Sequence, residues 1–167
     1  VPNGKYRLSA QAYYRTSGND QAYNAYINGN ADVTTYLYAN QSTQPIANIY
    51  SEFLTSNTGG RYYTPDYTKF FPDDMSAGTY CFTQGLYHNS VITEVTDGTL
   101  TIGLINENFT TSNWCMFDNF KLEYYGEYIP VTSIMLSQTE LPLNNNESIT
   151  LTATIGPTNA TYRNIIW

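Results

Sequence analysis

A chain of 167 residues holds either one large domain or two small ones, since domains usually run to about 100–150 residues. Its 17 Tyr, 7 Phe and abundant Thr suit half-buried pleated surfaces, and the long Ala, Leu, Glu and Lys runs of helical domains are missing, so the expected class is all-β. Seven Lys plus Arg against 14 Asp plus Glu leave a net charge of −7, which repels a phosphate backbone and argues against nucleic acid as a partner.

Only 13% of residues are charged, so solubility rests on Asn, Thr, Ser and Gln, a texture associated with secreted or cell-surface proteins. No apolar run approaches the roughly 18–20 residues that a bilayer crossing needs, so membrane insertion is not expected. The two cysteines, Cys81 and Cys115, lack metal spacing. They read as two small buried residues, or as a single bridge in an oxidising compartment.

From Lys5 to Arg15, Tyr6, Leu8, Ala10, Ala12 and Tyr14 alternate with polar residues, which predicts a strand with one buried face. Pro2-Asn3-Gly4 ahead of it reads as a tight turn, implying an earlier strand. Thr16 to Asp32 reads as a long surface loop, and Val33–Ala39 and Ile46–Leu54 as strands around a polar Asn40–Gln44 segment.

Ser56 to Pro72 is irregular and carries the densest aromatic group: Tyr62, Tyr63, Tyr67, Phe70 and Phe71. Asp73 is placed to cap a short helix over Asp74–Gln84, stopped by Gly85. Val91–Val95 and Thr99–Ile105 flank Thr96-Asp97-Gly98, the pattern of a β-hairpin, and Met116–Tyr125 forms another strand with Phe120, Leu122 and Tyr124 on one face. Past Pro130 the aromatics give way to short Thr/Ile/Leu strands at Val131–Leu136, Leu141–Leu143 and Ser148–Ile155, which marks a domain boundary.

Three segments, Pro2 to Leu8, Asp97 to Gly103, and Trp114 through Phe117-Asp118-Asn119-Phe120 to Gly126, resemble the galactose-binding-like jelly-roll modules of large exported proteins from gut anaerobic bacteria. Val131 to Leu136, Leu141 to Leu143, Thr150 to Thr154, Pro157 to Thr161 and Trp167 resemble the first half of a group 2 bacterial immunoglobulin-like domain. The resemblance implies an all-β fold: a jelly-roll β-sandwich with one short helix over residues 1–128, apparently lacking its first strands, and a partial immunoglobulin-like β-sandwich over 129–167. Modules of the galactose-binding-like group often hold one structural calcium near the chain entry, but no residue of this sequence is assigned to hold it, so no cofactor and no metal ligand are named.

The groups that catalysis needs are thin. His88 stands alone, without a Gly-x-Ser-x-Gly or metal-spaced partner, and Glu94, Asp97, Glu107, Asp118 and Glu123 read as turn and surface acids rather than a hydrolytic pair. Asn28-x-Asn30-x-Asp32 lacks the glycine of a calcium loop. Sugar rings, by contrast, pack their C–H faces on aromatic rings while their hydroxyls seek amides and carboxylates. Arg61, Tyr62, Tyr63, Asp66, Tyr67 and Trp114 are therefore the candidate ligand-binding residues; the alternative is that these rings fill the core beneath a loop, the stronger reading for Trp114. The expected function is a non-catalytic carbohydrate-binding or cell-surface recognition module whose partners are a polysaccharide or glycan and other domains of the same parent chain. The rival is an architectural or protein-adhesion module without sugar binding.

Overall fold

The computed structural model describes residues 1–56, 62–127, 129–140, 143–161 and 163–165. Among them the chain runs β1 (Gly4–Arg15), α1 (Asn19–Ile27), β2 (Thr35–Ala39), β3 (Ser42–Pro45), β4 (Ala47–Asn48), β5 (Tyr62–Tyr63), β6 (Phe70–Phe71), α2 (Met75–Thr83), β7 (His88–Val95), β8 (Ile102–Asn106), β9 (Trp114–Tyr124), β10 (Ser133–Leu136) and β11 (Ala153–Gly156). The fold is an all-β sandwich carrying two short helices.

β1 is the central strand of the first sheet, paired antiparallel with β9 on one side and with β7 on the other, where β4 continues the edge in parallel beside Tyr13 and Tyr14. The second sheet has the order β3-β2-β8. The two sheets close on Leu8, Ala10, Ala12 and Tyr14 of β1, Leu37 and Ala39 of β2, Ile46 and Val91. This is the alternating face that the sequence predicts.

The opposite face of β1 is expected in solvent, yet its second half is buried too. Tyr13 is fully enclosed, with its ring centre 4.6 Å from that of Tyr87, 5.4 Å from Trp114 and 5.8 Å from Phe82. Helix α2, with Ile49, Tyr50, Leu54, Phe70 and Phe71, forms a third layer over this end of the sheet. Asp74, rather than Asp73, caps α2 by accepting from the Ala77 N–H at 2.8 Å, and Gly85 follows at φ +78°. Asp73 instead accepts from the Arg15 guanidinium at 2.7 Å and so fastens the start of the layer to the end of β1.

Gly78 explains why a glycine interrupts this helix. A Cβ there would lie 2.2 Å from Met116 Sδ and 2.4 Å from the Tyr13 hydroxyl, so the close approach of α2 to the sheet requires its absence.

Three expectations are corrected. Thr16–Asp32 is not all loop, because it contains α1. Asn40-Gln41 is a tight β2–β3 turn rather than part of a long separator, since Asn40 adopts φ +51° and its amide bonds both Thr99 O and Thr101 N. The Asp97-Gly98 turn is present, but β7 and β8 do not form a hairpin: β7 pairs with β1 and β8 with β2, so the turn carries the chain from one sheet to the other. The Asn40 bonds draw Thr99–Thr101 towards β2, and Leu100 and Leu104 then pack into the sandwich core.

Cys81 and Cys115 are both free thiols. Cys115 pairs with Tyr14 and packs at the sandwich core, whereas Cys81 sits on α2 in the outer layer, so the sheet itself separates them. Burial pushes both thiols up to about 11. In the C-terminal region β10 and β11 pair from Ser133↔Gly156 to Leu136↔Ala153, and the strand there is shorter than Ser148–Ile155. Leu141 and Trp167 lie outside the described residues.

Burial has a pH consequence. Desolvation holds the hydroxyls of Tyr13, Tyr50 and Tyr87 well above the ordinary tyrosine value. Because the folded pKa values are raised, the stability tied to these protons is whole below about pH 10 and is lost as pH climbs towards the folded values. In an alkaline titration, absorbance at 295 nm is expected to show exposed tyrosines ionising first and the buried ones only together with loss of near-UV circular dichroism. A single reversible step near pH 10 with intact near-UV signal would contradict this burial.

Candidate functional site

Helix α1 has little helical amphipathicity and no side-chain cap at Gly18, so local propensity does not explain it. Tertiary contacts hold it. The Arg15 guanidinium donates to Asn19 Oδ1, the Tyr50 hydroxyl donates to Asn19 O at 3.0 Å, and Tyr23 packs edge-on against Tyr50 and Tyr62 at 5.2 and 5.6 Å. The aromatic cluster of the 62–71 segment is thus the floor on which α1 rests, with Tyr50 and Phe71 at its base.

Between α1 and β5 lies an open cleft of about 790 Å³. One wall is Asp20, Tyr23, Asn24 and Ile27 from α1, and the other is Tyr62, Tyr63 and Pro65. Asp20 and Asn24 are exposed, so a carboxylate and a carboxamide stand one helical turn apart beside two tyrosine rings. The Tyr62 hydroxyl is pushed up to about 12, first by desolvation and then by the neighbouring Asp20 carboxylate. Asp20 thus brings acceptor oxygens to the lining of the cleft.

The sequence candidates separate in space. Tyr62 and Tyr63 line the cleft. Tyr67, at φ +56°, stacks on Tyr63 with ring centres 4.5 Å apart and planes at 22°, and the two rings remain 62% and 41% exposed. The adjacent Tyr63 hydroxyl raises that of Tyr67. Asp66 accepts from the Thr64 hydroxyl and from the Thr68 hydroxyl and N–H at 2.9 and 3.2 Å, and the same bonds lower its carboxyl; it shapes the turn that presents Tyr67.

Trp114 does not line the cleft. It is half-buried against Tyr13, with the Arg15 guanidinium 5.6 Å from its ring centre. Arg61 lies outside the described residues. The residues that sequence reasoning missed are Asp20, Tyr23, Asn24 and Ile27. Their spacing, with Asp20 and Asn24 four apart and Tyr23 and Ile27 four apart, is the one helical signal in a segment otherwise dominated by Gly, Asn and Asp.

Several other chemistry-bearing residues are occupied locally. Asn28 closes α1 by donating to Asn24 O, and Asp32 offers its backbone carbonyl to the Tyr14 hydroxyl. Asp97 accepts from Thr99 N, Asp118 from Asn119 N and Glu123 from Lys121. Among the described residues no three His, Cys, Asp or Glu side chains gather as a metal site. No protein-family model, no curated protein and no solved structure matches this chain.

Proposed function

We propose that the chain is a non-catalytic carbohydrate-binding module of the galactose-binding-like jelly-roll type, belonging to an exported bacterial protein and acting at the cell surface or outside it, with residues 129–167 serving as part of an immunoglobulin-like spacer. The observation that carries the reading is the α1/β5 cleft, where the Tyr62 and Tyr63 rings stand beside the exposed carboxylate of Asp20 and amide of Asn24. A pyranose ring in it would lay a C–H face on an aromatic ring and offer hydroxyls to the amide and the free carboxylate lone pairs. The Tyr63–Tyr67 stack extends the aromatic surface beyond the cleft, which suits a chain of sugars over a single residue.

The test is a glycan array followed by affinity electrophoresis on the 167-residue chain. Binding to a polysaccharide is expected, and Asn24→Ala and Tyr63→Ala are each expected to weaken it at least tenfold, about 1.4 kcal/mol, with near-UV circular dichroism unchanged. Tyr62→Phe keeps the ring on its Tyr50 and Phe71 neighbours while removing the hydroxyl beside Asp20, so it separates the hydroxyl from the ring packing. Absence of binding to every glycan, or binding indifferent to Asn24 and Tyr63, would overturn the assignment.

A further inference from the structure

Among the described residues the sandwich is uncovered along β9. Its partner on one side is β1, and among the described residues no strand pairs with its other edge. Phe117, Phe120, Leu122 and Tyr124 follow one another on the face turned towards the second sheet, yet stand 55%, 44%, 43% and 48% exposed. Four large apolar side chains in a row beside an open edge form a contact surface rather than the scattered exposure normal for a soluble protein.

The backbone direction at this edge follows from the ladder. Tyr125 N–H donates inward to Lys5 O at 2.9 Å, so in the regular strand ahead of it the amides and carbonyls of Lys121 and Glu123 face β1. Those of Phe120, Leu122 and Tyr124 therefore point outward from the open edge. On the other side of the sheet Lys121 and Glu123 carry opposite charges and bond each other at 2.8 Å.

We infer that β9 pairs antiparallel with β9 of a second copy of this chain, about a two-fold axis at Leu122. In that register Leu122 faces its own counterpart and Phe120 faces Tyr124 of the second copy, which matches the three residues whose hydrogen-bonding groups point outward. Lys121 then lies opposite Glu123 of the second copy and Glu123 opposite its Lys121, so both charge pairs across the axis are favourable. A two-fold interface must be self-complementary, and this stretch satisfies that in hydrogen bonding, apolar packing and charge at one register.

Sedimentation equilibrium of the full chain at micromolar concentration tests the pairing. The expected mass is twice the 18.9 kDa of one chain. Lys121→Glu and Glu123→Lys each place like charges opposite each other across the axis, and each variant alone is expected to dimerise at least tenfold more weakly. An equimolar mixture of the two variants restores both opposite-charge pairs and is expected to recover the dimer as a heterodimer. Near-UV circular dichroism confirms that each variant is folded. A monomeric wild-type chain, variants that dimerise as well as wild type, or a mixture that stays as weak as its components would each overturn the proposal.

Discussion

Tyr13→Ala is expected to destabilise the protein by about 3–5 kcal/mol, the range for removing a large aromatic from a packed core. Tyr13 has no exposed surface, and its ring touches Phe82 of α2, Tyr87 and Trp114, so its loss opens a void where the third layer meets the sheet. A typical domain has about 5–15 kcal/mol of stability in all, so the loss is a large share of the whole. Tyr13→Phe is the control. It removes only the hydrogen bond from the hydroxyl to Met116 Sδ at 3.3 Å and is expected to cost under about 1.5 kcal/mol. Urea unfolding followed by fluorescence measures both. The same void should open the outer layer to reagents: Cys81, fully buried beside Tyr13 and with its thiol pushed up to about 11, is expected to become alkylatable in Tyr13→Ala under conditions where it is inert in the parent. A loss below about 1 kcal/mol would show that α2 is held by something other than this ring.

The outcome bears on the candidate site, because the third layer and the cleft share one cluster. Tyr50 and Phe71 belong to the same packed group as Tyr13, and they also support Tyr23 and Tyr62. Burial of aromatics is thus spent twice: it seals one face of β1 and positions the two walls of the cleft.

This double use also explains which parts of the fold the sequence makes legible. β1, β2 and β9 are legible because alternation over five or more residues is a local property, repeated whatever the strand packs against. Helix α2 is legible from Ala77, Cys81 and Gly85, a face and a stop within one short stretch, although its cap is Asp74 and not the expected Asp73. The partners of β7 and β8 are not, because an Asp-Gly turn sets a reversal of direction but not the sheet in which the next strand lands. That was decided by Asn40, some sixty residues earlier, reaching Thr99 and Thr101. Helix α1 escapes for a related reason: its stabilising contacts are Tyr50, Tyr62 and Arg15, all outside the segment. Half of the cleft was therefore readable as aromatic residues at 62 and 63, while the wall that supplies its carboxylate and amide was hidden in a stretch with the composition of a loop.

Gln11→Leu should be the second severe change, at about 1–3 kcal/mol, although it replaces a polar residue by an apolar one inside the protein. Gln11 is 4% exposed on the outer face of β1, where the neighbouring Tyr13 gives an impression of dry core. Its side-chain amide donates to Phe82 O and Leu86 O, both at 2.8 Å, and its carbonyl oxygen accepts from Asn119 Nδ2 at 2.7 Å. One residue thus satisfies two carbonyls at the end of α2 and pins the bulge in β9, where the register slips between Ser9 and Gln11 and Asn119 adopts φ +54°. Leucine is close in volume but makes none of these bonds: Leu86 O loses its side-chain donor, while Phe82 O keeps the Gly85 N–H at 3.0 Å and the exposed Asn119 amide can turn to water. A buried polar group left without its partner costs about 1–3 kcal/mol, partly offset by the added apolar burial. Gln11→Glu distinguishes hydrogen bonding from size: it keeps the acceptor for Asn119 but sets a carboxylate against two carbonyl oxygens, so its stability is expected to rise as pH falls and the carboxyl is protonated, regaining a donor. Urea midpoints for the two variants at pH 7 and pH 4 decide the matter. If Gln11→Leu were as stable as the parent, or if Gln11→Glu showed no gain relative to the parent on acidification, the link from β1 through Gln11 to α2 and the β9 bulge would carry no energy.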